Sequence, residues 1–206
     1  MNAESNDIAW LVWLVAAQFA IYGAGWGLGS RVMHTRDGAA AHWSGFMLLM
    51  GAGFWLSAQR GEPRTFWPYV GSNLLFMTGY TVLRRGLECF SRQPPRDREH
   101  LLWMALATVG FVAIGPAAEG AAARVVLAYG LGALVFARAL HGLWQPLRLE
   151  FGLAAFWWTT LPAWLVLVLF TGRALVQVLN PSRLQEIHHA TMGNQVPVFG
   201  YLGGTP

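Results

Sequence analysis

Apolar residues run along this chain in six long stretches instead of alternating with polar ones, at roughly 8–28, 39–58, 66–83, 101–118, 121–140 and 151–170. Each approaches the roughly 20 residues that a helix needs to cross a bilayer core. The stretches are far longer than barrel strands and lack their period of two. In lipid a helix satisfies its own backbone hydrogen bonds, so helices are the expected spanning form. The pattern predicts an all-α, polytopic transmembrane helical bundle of six spans. No Gly/Ser linker or low-complexity tract divides it, so residues 1–180 are expected to form one domain, followed by an extracytoplasmic tail, 181–206.

The weakest span is the fifth. Arg124 and Arg138 bracket an apolar core of only about 20 Å at 1.5 Å per residue. Their long stems are expected to snorkel toward the two head-group layers. The gap 141–150, with Arg148 in it, is expected to be a loop.

Every one of the 14 cationic side chains is an arginine. Charges avoid hydrocarbon, so their uneven spread over the gaps marks sidedness. Arg31, Arg36, Arg84, Arg85, Arg92, Arg96, Arg98, Arg138 and Arg148 fall at one face. Arg60, Arg64, Arg124, Arg173 and Arg183 fall at the other. The richer face is predicted to be cytoplasmic, which puts the N-terminus and the tail outside a bacterial inner membrane.

Composition agrees. The chain has 206 residues, 55% of them hydrophobic and 12% charged, against about a quarter charged in soluble domains. Its 11 tryptophans suit membrane interfaces. The net charge of +4 is expected to serve topology and anionic head groups. No basic patch interleaves with exposed stacking aromatics, so no nucleic-acid partner is expected. The single cysteine, Cys89, excludes an internal disulfide. Met1–Asp7 carries Glu4 and Asp7 without a basic residue, unlike a cleavable signal peptide.

The tail is polar at Asn180-Pro181-Ser182-Arg183 and apolar again from Val196 to Leu202. It reads either as the approach to a seventh helix, with the chain a fragment, or as a segment lying along the outer interface. The first is the expectation.

Candidate chemistry is sparse. Asn73, beside Ser72, is a polar group inside the third span, expected to hydrogen-bond across helices or to touch a ligand. Trp157, Trp158, Thr159 and Thr160 precede Pro162, which deprives the Trp158 carbonyl of its usual donor. Indoles, hydroxyls and a free carbonyl at one kink suit a small-molecule cavity, though a packed kink is the plainer expectation. His34, His42, His100 and His141 fall at predicted span ends and His188-His189 in the tail. None of the first four is paired at i, i+4 with another ligand, and the adjacent pair in the tail is a weak metal signal, so ordinary interfacial histidines are expected and neither metal nor another cofactor is.

Glu119 and Arg124 are expected to be exposed loop charges of little consequence, the alternative being a partly desolvated pair that senses pH or an anionic ligand. Arg84 and Glu88, at i and i+4, predict a helical extension of the third span. Gly23-x-x-x-Gly27 and Gly25-x-x-x-Gly29 match a small-residue packing motif, which serves a neighbouring helix or a homodimer. Signatures of hydrolases, zinc proteases and phosphate-binding loops are absent, so catalysis is not expected.

The run Gly71-Ser72-Asn73-Leu74-Leu75-Phe76-Met77-Thr78-Gly79-Tyr80-Thr81-Val82-Leu83-Arg84-Arg85-Gly86-Leu87 carries a family likeness. With Leu48-Leu49-Met50-Gly51, the Arg60-Gly61 turn and the basic loop Phe90–Arg96, it resembles the N-terminal multi-helix membrane region of bacterial GGDEF-type diguanylate cyclases. The likeness extends from about Ala39 to Leu179. It implies a sensory or signal-input module, driven by an unidentified small molecule or membrane property. The cyclase motif and nucleotide-binding half are missing, so no catalytic residue carries over. A small stand-alone transporter or channel component is the competing expectation, and a membrane enzyme ranks third.

Overall fold

The computed structural model describes residues 3–32, 38–61 and 63–179. The described residues are all-helical. Helix α1 spans Ala3–Val32, α2 Ala39–Ser57, α3 Ser72–Phe90, α4 Asp97–Ile114 and α5 Ala121–Leu179. Two are long and apolar enough to cross a membrane, over Trp10–Val32 and Ala121–Leu179. The expectations for the tail, for His34 and Arg36, and for His188-His189 lie outside the described residues.

Helix α3 is the hub, packing against α2, α4 and α5, while α1 packs against α2. Small residues set the α1–α2 approach. A Cβ on Gly23 would meet Leu48 at 2.8 Å and one on Gly27 would meet Ser44 Oγ at 2.9 Å. Ser44 Oγ also donates to the Gly23 carbonyl at 2.7 Å. The Gly23/Gly27 motif thus serves a helix of the same chain, while Gly25 faces open space. Edge-to-face pairs, Trp13–Trp55 and Trp26–Trp43, bracket this contact.

A single widened, π-helical turn, Trp67–Gly71, leads into α3. Pro68 sits at its start, where a missing N–H costs nothing. Val70 of this turn and Met77 of α3 bury against Ala107 and Phe111 of α4 and Leu131 and Val135 of α5. Helix α3 runs past the predicted span end at 83 to Phe90, as the Arg84–Glu88 spacing predicts.

Two expectations for the last third are corrected. The stretch 141–150 is not a loop but helix, and α5 reverses only at Gly152 (φ 79°, ψ 170°). The reason is local amphipathicity. Leu143 and Leu147, four apart, bury with Phe156, while Leu149 and Arg148 stay exposed. Nor do Arg124 and Arg138 simply snorkel outward. Arg124 is only 6% exposed, against the expected exposed loop charge. Its Nη1 donates to the carbonyls of Gly115 and Ala117 at 2.6 and 2.8 Å, where α4 ends. The Gly115 carbonyl, at the C-cap of α4, has no backbone donor among the described residues, and that of Ala117 also accepts from the Gly120 N–H at 3.2 Å; a cation is welcome at such a helix end. Arg138 turns to Glu99 at 2.9 Å. Glu119 is exposed, as expected.

Candidate functional site

A cavity of about 550 Å³ lies between α2, α3 and both arms of α5. That is within the usual range for small-molecule sites. Each wall runs in the same sense. Along α2 and beyond, the lining passes from Met50 through Phe54 and Ser57 to Arg60. Along α3 it passes from Tyr80 through Phe76 and Asn73 to Tyr69. In α5, Arg124 and Arg173 lie at the Tyr69 end, and Tyr129 and Phe170 deeper. The cavity is therefore polar and cationic at one end and aromatic at the other.

The cationic end is organised by the π-helical turn. Its wide geometry lets the Pro68 carbonyl accept from Arg60 Nε at 2.9 Å and from Ser72 Oγ at 2.6 Å. Arg60 Nη2 donates to Ser72 Oγ at 3.0 Å. The guanidiniums of Arg60, Arg64 and Arg124 lie 5.5–5.7 Å from the centre of the Tyr69 ring. An aromatic face attracts each cation, so one ring helps three like charges to gather. Burial pushes the Arg60 guanidinium down from its ordinary value, yet arginine stays protonated throughout the physiological range. The deep end is closed by edge-to-face rings, with Phe170 against Tyr80, Tyr129 and Phe136 at 5.1–5.8 Å.

Asn73 lines this cavity, and its Nδ2 donates to the Tyr69 carbonyl at 2.7 Å. Trp157, Trp158, Thr159 and Thr160 lie elsewhere, on the second arm of α5. The two indoles are outward, with Trp158 76% exposed. Trp157 packs on Trp144 and Trp164. Thr159 Oγ1 donates to Ala155 O and Thr160 Oγ1 to Phe156 O. The structure therefore does not bring these four together with Asn73.

A second constellation lies at the far end of α3; of its members the sequence reading paired only Arg84 with Glu88. Arg84 is 2% exposed; its Nη2 donates to Glu99 at 2.8 Å and its Nε lies 3.4 Å from Glu88. Arg138 of α5 holds the other Glu99 oxygen. Glu88 Oε1 stands 3.3 Å from His100 Nε2 without an aligned hydrogen bond. Gln93 Nε2 donates to the Gly142 carbonyl at 2.7 Å, clipping the α3–α4 loop to α5. Arg84 and then Arg138 hold the Glu99 carboxyl well below the usual carboxylate range. Burial pushes the His100 imidazole down. The available signal was complementarity: an arginine inside an apolar stretch needs a carboxylate, and Glu99 opens the neighbouring helix.

His42 Nδ1 lies 2.8 Å from the Gly38 carbonyl and His141 is exposed. Among the described residues no group of three or more His, Cys, Asp or Glu could hold a metal ion. Comparison with protein-family models, curated proteins and solved structures gave no match.

Proposed function

We propose that this chain is the sensory input part of a membrane signalling protein. It crosses a bacterial inner membrane six times, with the N-terminus and the Arg60 turn outside and the Glu99 cluster at the cytoplasmic face. The arrangement of polarity supports this. Leu101 and Val109 of α4 and Val168 of α5 are at least 65% exposed, whereas Arg84, Glu88 and Arg124 are buried. Water would favour the reverse, while lipid favours apolar side chains outward and ionised ones paired inside. The likeness to the membrane region of diguanylate cyclases supplies the output expected of the whole protein.

The observation that carries the reading is the position of α3. Its first turns wall the ligand-sized cavity and its last turns carry the ion-pair clamp. A ligand that fits one packing of α2, α3 and α5 better than another shifts the population between them. That shift reaches the cytoplasmic end through α3, about 30 Å away at helical rise.

Cys89, one residue after Glu88 and the sole cysteine, is a built-in reporter. With an environment-sensitive fluorophore on Cys89 in proteoliposomes, ligand at the cavity should change emission without ligand reaching the lumen. Accumulation in the lumen would instead establish the transporter reading.

A further inference from the structure

The geometry points to an amphiphilic anion as the occupant of this cavity: a single carboxylate or phosphate head held among Arg60, Arg124 and Arg173, with an alkyl tail along Phe54, Phe76 and Phe170. This inference rests on the cavity being the input site of the sensory reading, and it names what that site takes.

Three observations carry it. The first is charge. Among the described residues no carboxylate lines the cavity, and the ion pairs of Arg84, Arg85 and Arg138 all lie in the Glu99 cluster or beside it. Arg60, Arg124 and Arg173 therefore stand, among the described residues, without a counter-ion at one end of a space with apolar walls. Cations so placed favour an anion, because the poorly screened field strengthens each charge-assisted hydrogen bond.

The second is donor geometry. Arg124 commits Nη1 to the end of α4, and Arg60 commits Nε and Nη2 to Pro68 and Ser72. These bonds fix both guanidiniums, leaving Nε and Nη2 of Arg124 and Nη1 of Arg60 without an acceptor among the described residues. A pre-positioned fork suits a planar or tetrahedral oxyanion.

The third is the gradient along the cavity. From Tyr69 to Tyr80 the α3 wall covers about 16 Å at helical rise, and the deep two-thirds is aromatic and methionine-lined. An ion without a tail leaves that part unfilled, and a neutral lipid leaves the arginines unmatched. Only a molecule with both parts uses the whole surface.

A photoactivatable hexadecanoate carrying a diazirine on its tail is the probe, used with the full chain in phosphatidylcholine nanodiscs. Saturable labelling is expected on α2, α3 and both arms of α5. Dodecyl phosphate and dodecanoate should compete, whereas dodecanol and inorganic phosphate should compete at least tenfold less well. Arg173→Gln, at an exposed position with no partner among the described residues, should weaken labelling about tenfold at unchanged thermal stability. Arg124→Gln should weaken it further, and Ala128→Phe should block it by filling the tail region.

Nanodiscs containing phosphatidylglycerol separate two sources of the same chemistry. Competition there assigns the site to a bilayer lipid, and undiminished labelling assigns it to a free amphiphile. Non-saturable labelling, equal competition by dodecanol, or a wild-type level in both Arg173→Gln and Ala128→Phe would overturn the inference. Binding with a silent Cys89 reporter would keep the ligand and sink the sensory reading, and a responding reporter with no probe bound would do the opposite.

Discussion

Arg84 is almost wholly buried, and its charge is tolerated only because Glu99 and Glu88 face it. Removing one partner of such a pair leaves an uncompensated ion, a larger loss than the net gain from the pair itself. Glu99→Gln is therefore expected to destabilise the chain by about 3 kcal/mol, the low end of that range, since a fifth of the Glu99 side chain is exposed. Thermal unfolding in detergent at pH 7 checks it. The pH dependence has a definite sign. The Glu99 carboxyl is depressed in the folded chain, so its stabilisation is complete above the unfolded value, near 4.3, and fades as pH falls below it. His100 acts in a higher window: its folded imidazole resists protonation, so stability also declines as pH drops through about 6.5. Glu99→Gln should erase the acid limb and leave the His100 limb. Loss of both limbs, or of neither, would contradict the assignment.

Helix α5 shows where element boundaries were legible and where they were not. Apolar run lengths marked the cores of all the helical segments, because burial and lipid exposure both select long apolar stretches. The ends were harder to read. Polar residues at 141–150 suggest a loop, yet Leu143 and Leu147 recur at helical spacing and carry the helix on to Gly152. Only glycine readily adopts φ 79° with ψ 170°. Gly152→Ala is expected to cost about 1–3 kcal/mol through backbone strain alone, because nothing lies within 4 Å of the added carbon. Gly172→Ala is the matched control in the same helix. It also meets nothing within 4 Å, and there alanine should stabilise by up to about 1 kcal/mol. Paired melting curves test both, and equal effects at the two glycines would contradict the reversal at 152.

At the scale of the whole molecule, the sequence reading separated charge from apolar mass but not which charges meet. Asn73 was legible as a polar group inside an apolar helix. The arginines that share its cavity come from three segments far apart in sequence, and only packing around α3 brings them together. The Glu99 cluster was hidden for the same reason. These two ends give the proposed signalling its sharpest test. Sites more than about 10 Å apart usually contribute additively, within about 0.3–0.5 kcal/mol. Arg60 and Glu99 lie near opposite ends of α3, so a rigid bundle predicts additivity for Arg60→Gln combined with Glu99→Gln. A bundle with two packings, each favoured at both ends together, predicts otherwise. Once the first substitution has shifted the population, the second acts on a different mixture. The expected result is a coupling of about 1 kcal/mol or more in a double-mutant cycle of unfolding free energies in nanodiscs. It should shrink when saturating hexadecanoate holds the bundle in one packing. Strict additivity, with and without the amphiphile, would mean that the cavity and the clamp share a helix but not a switch.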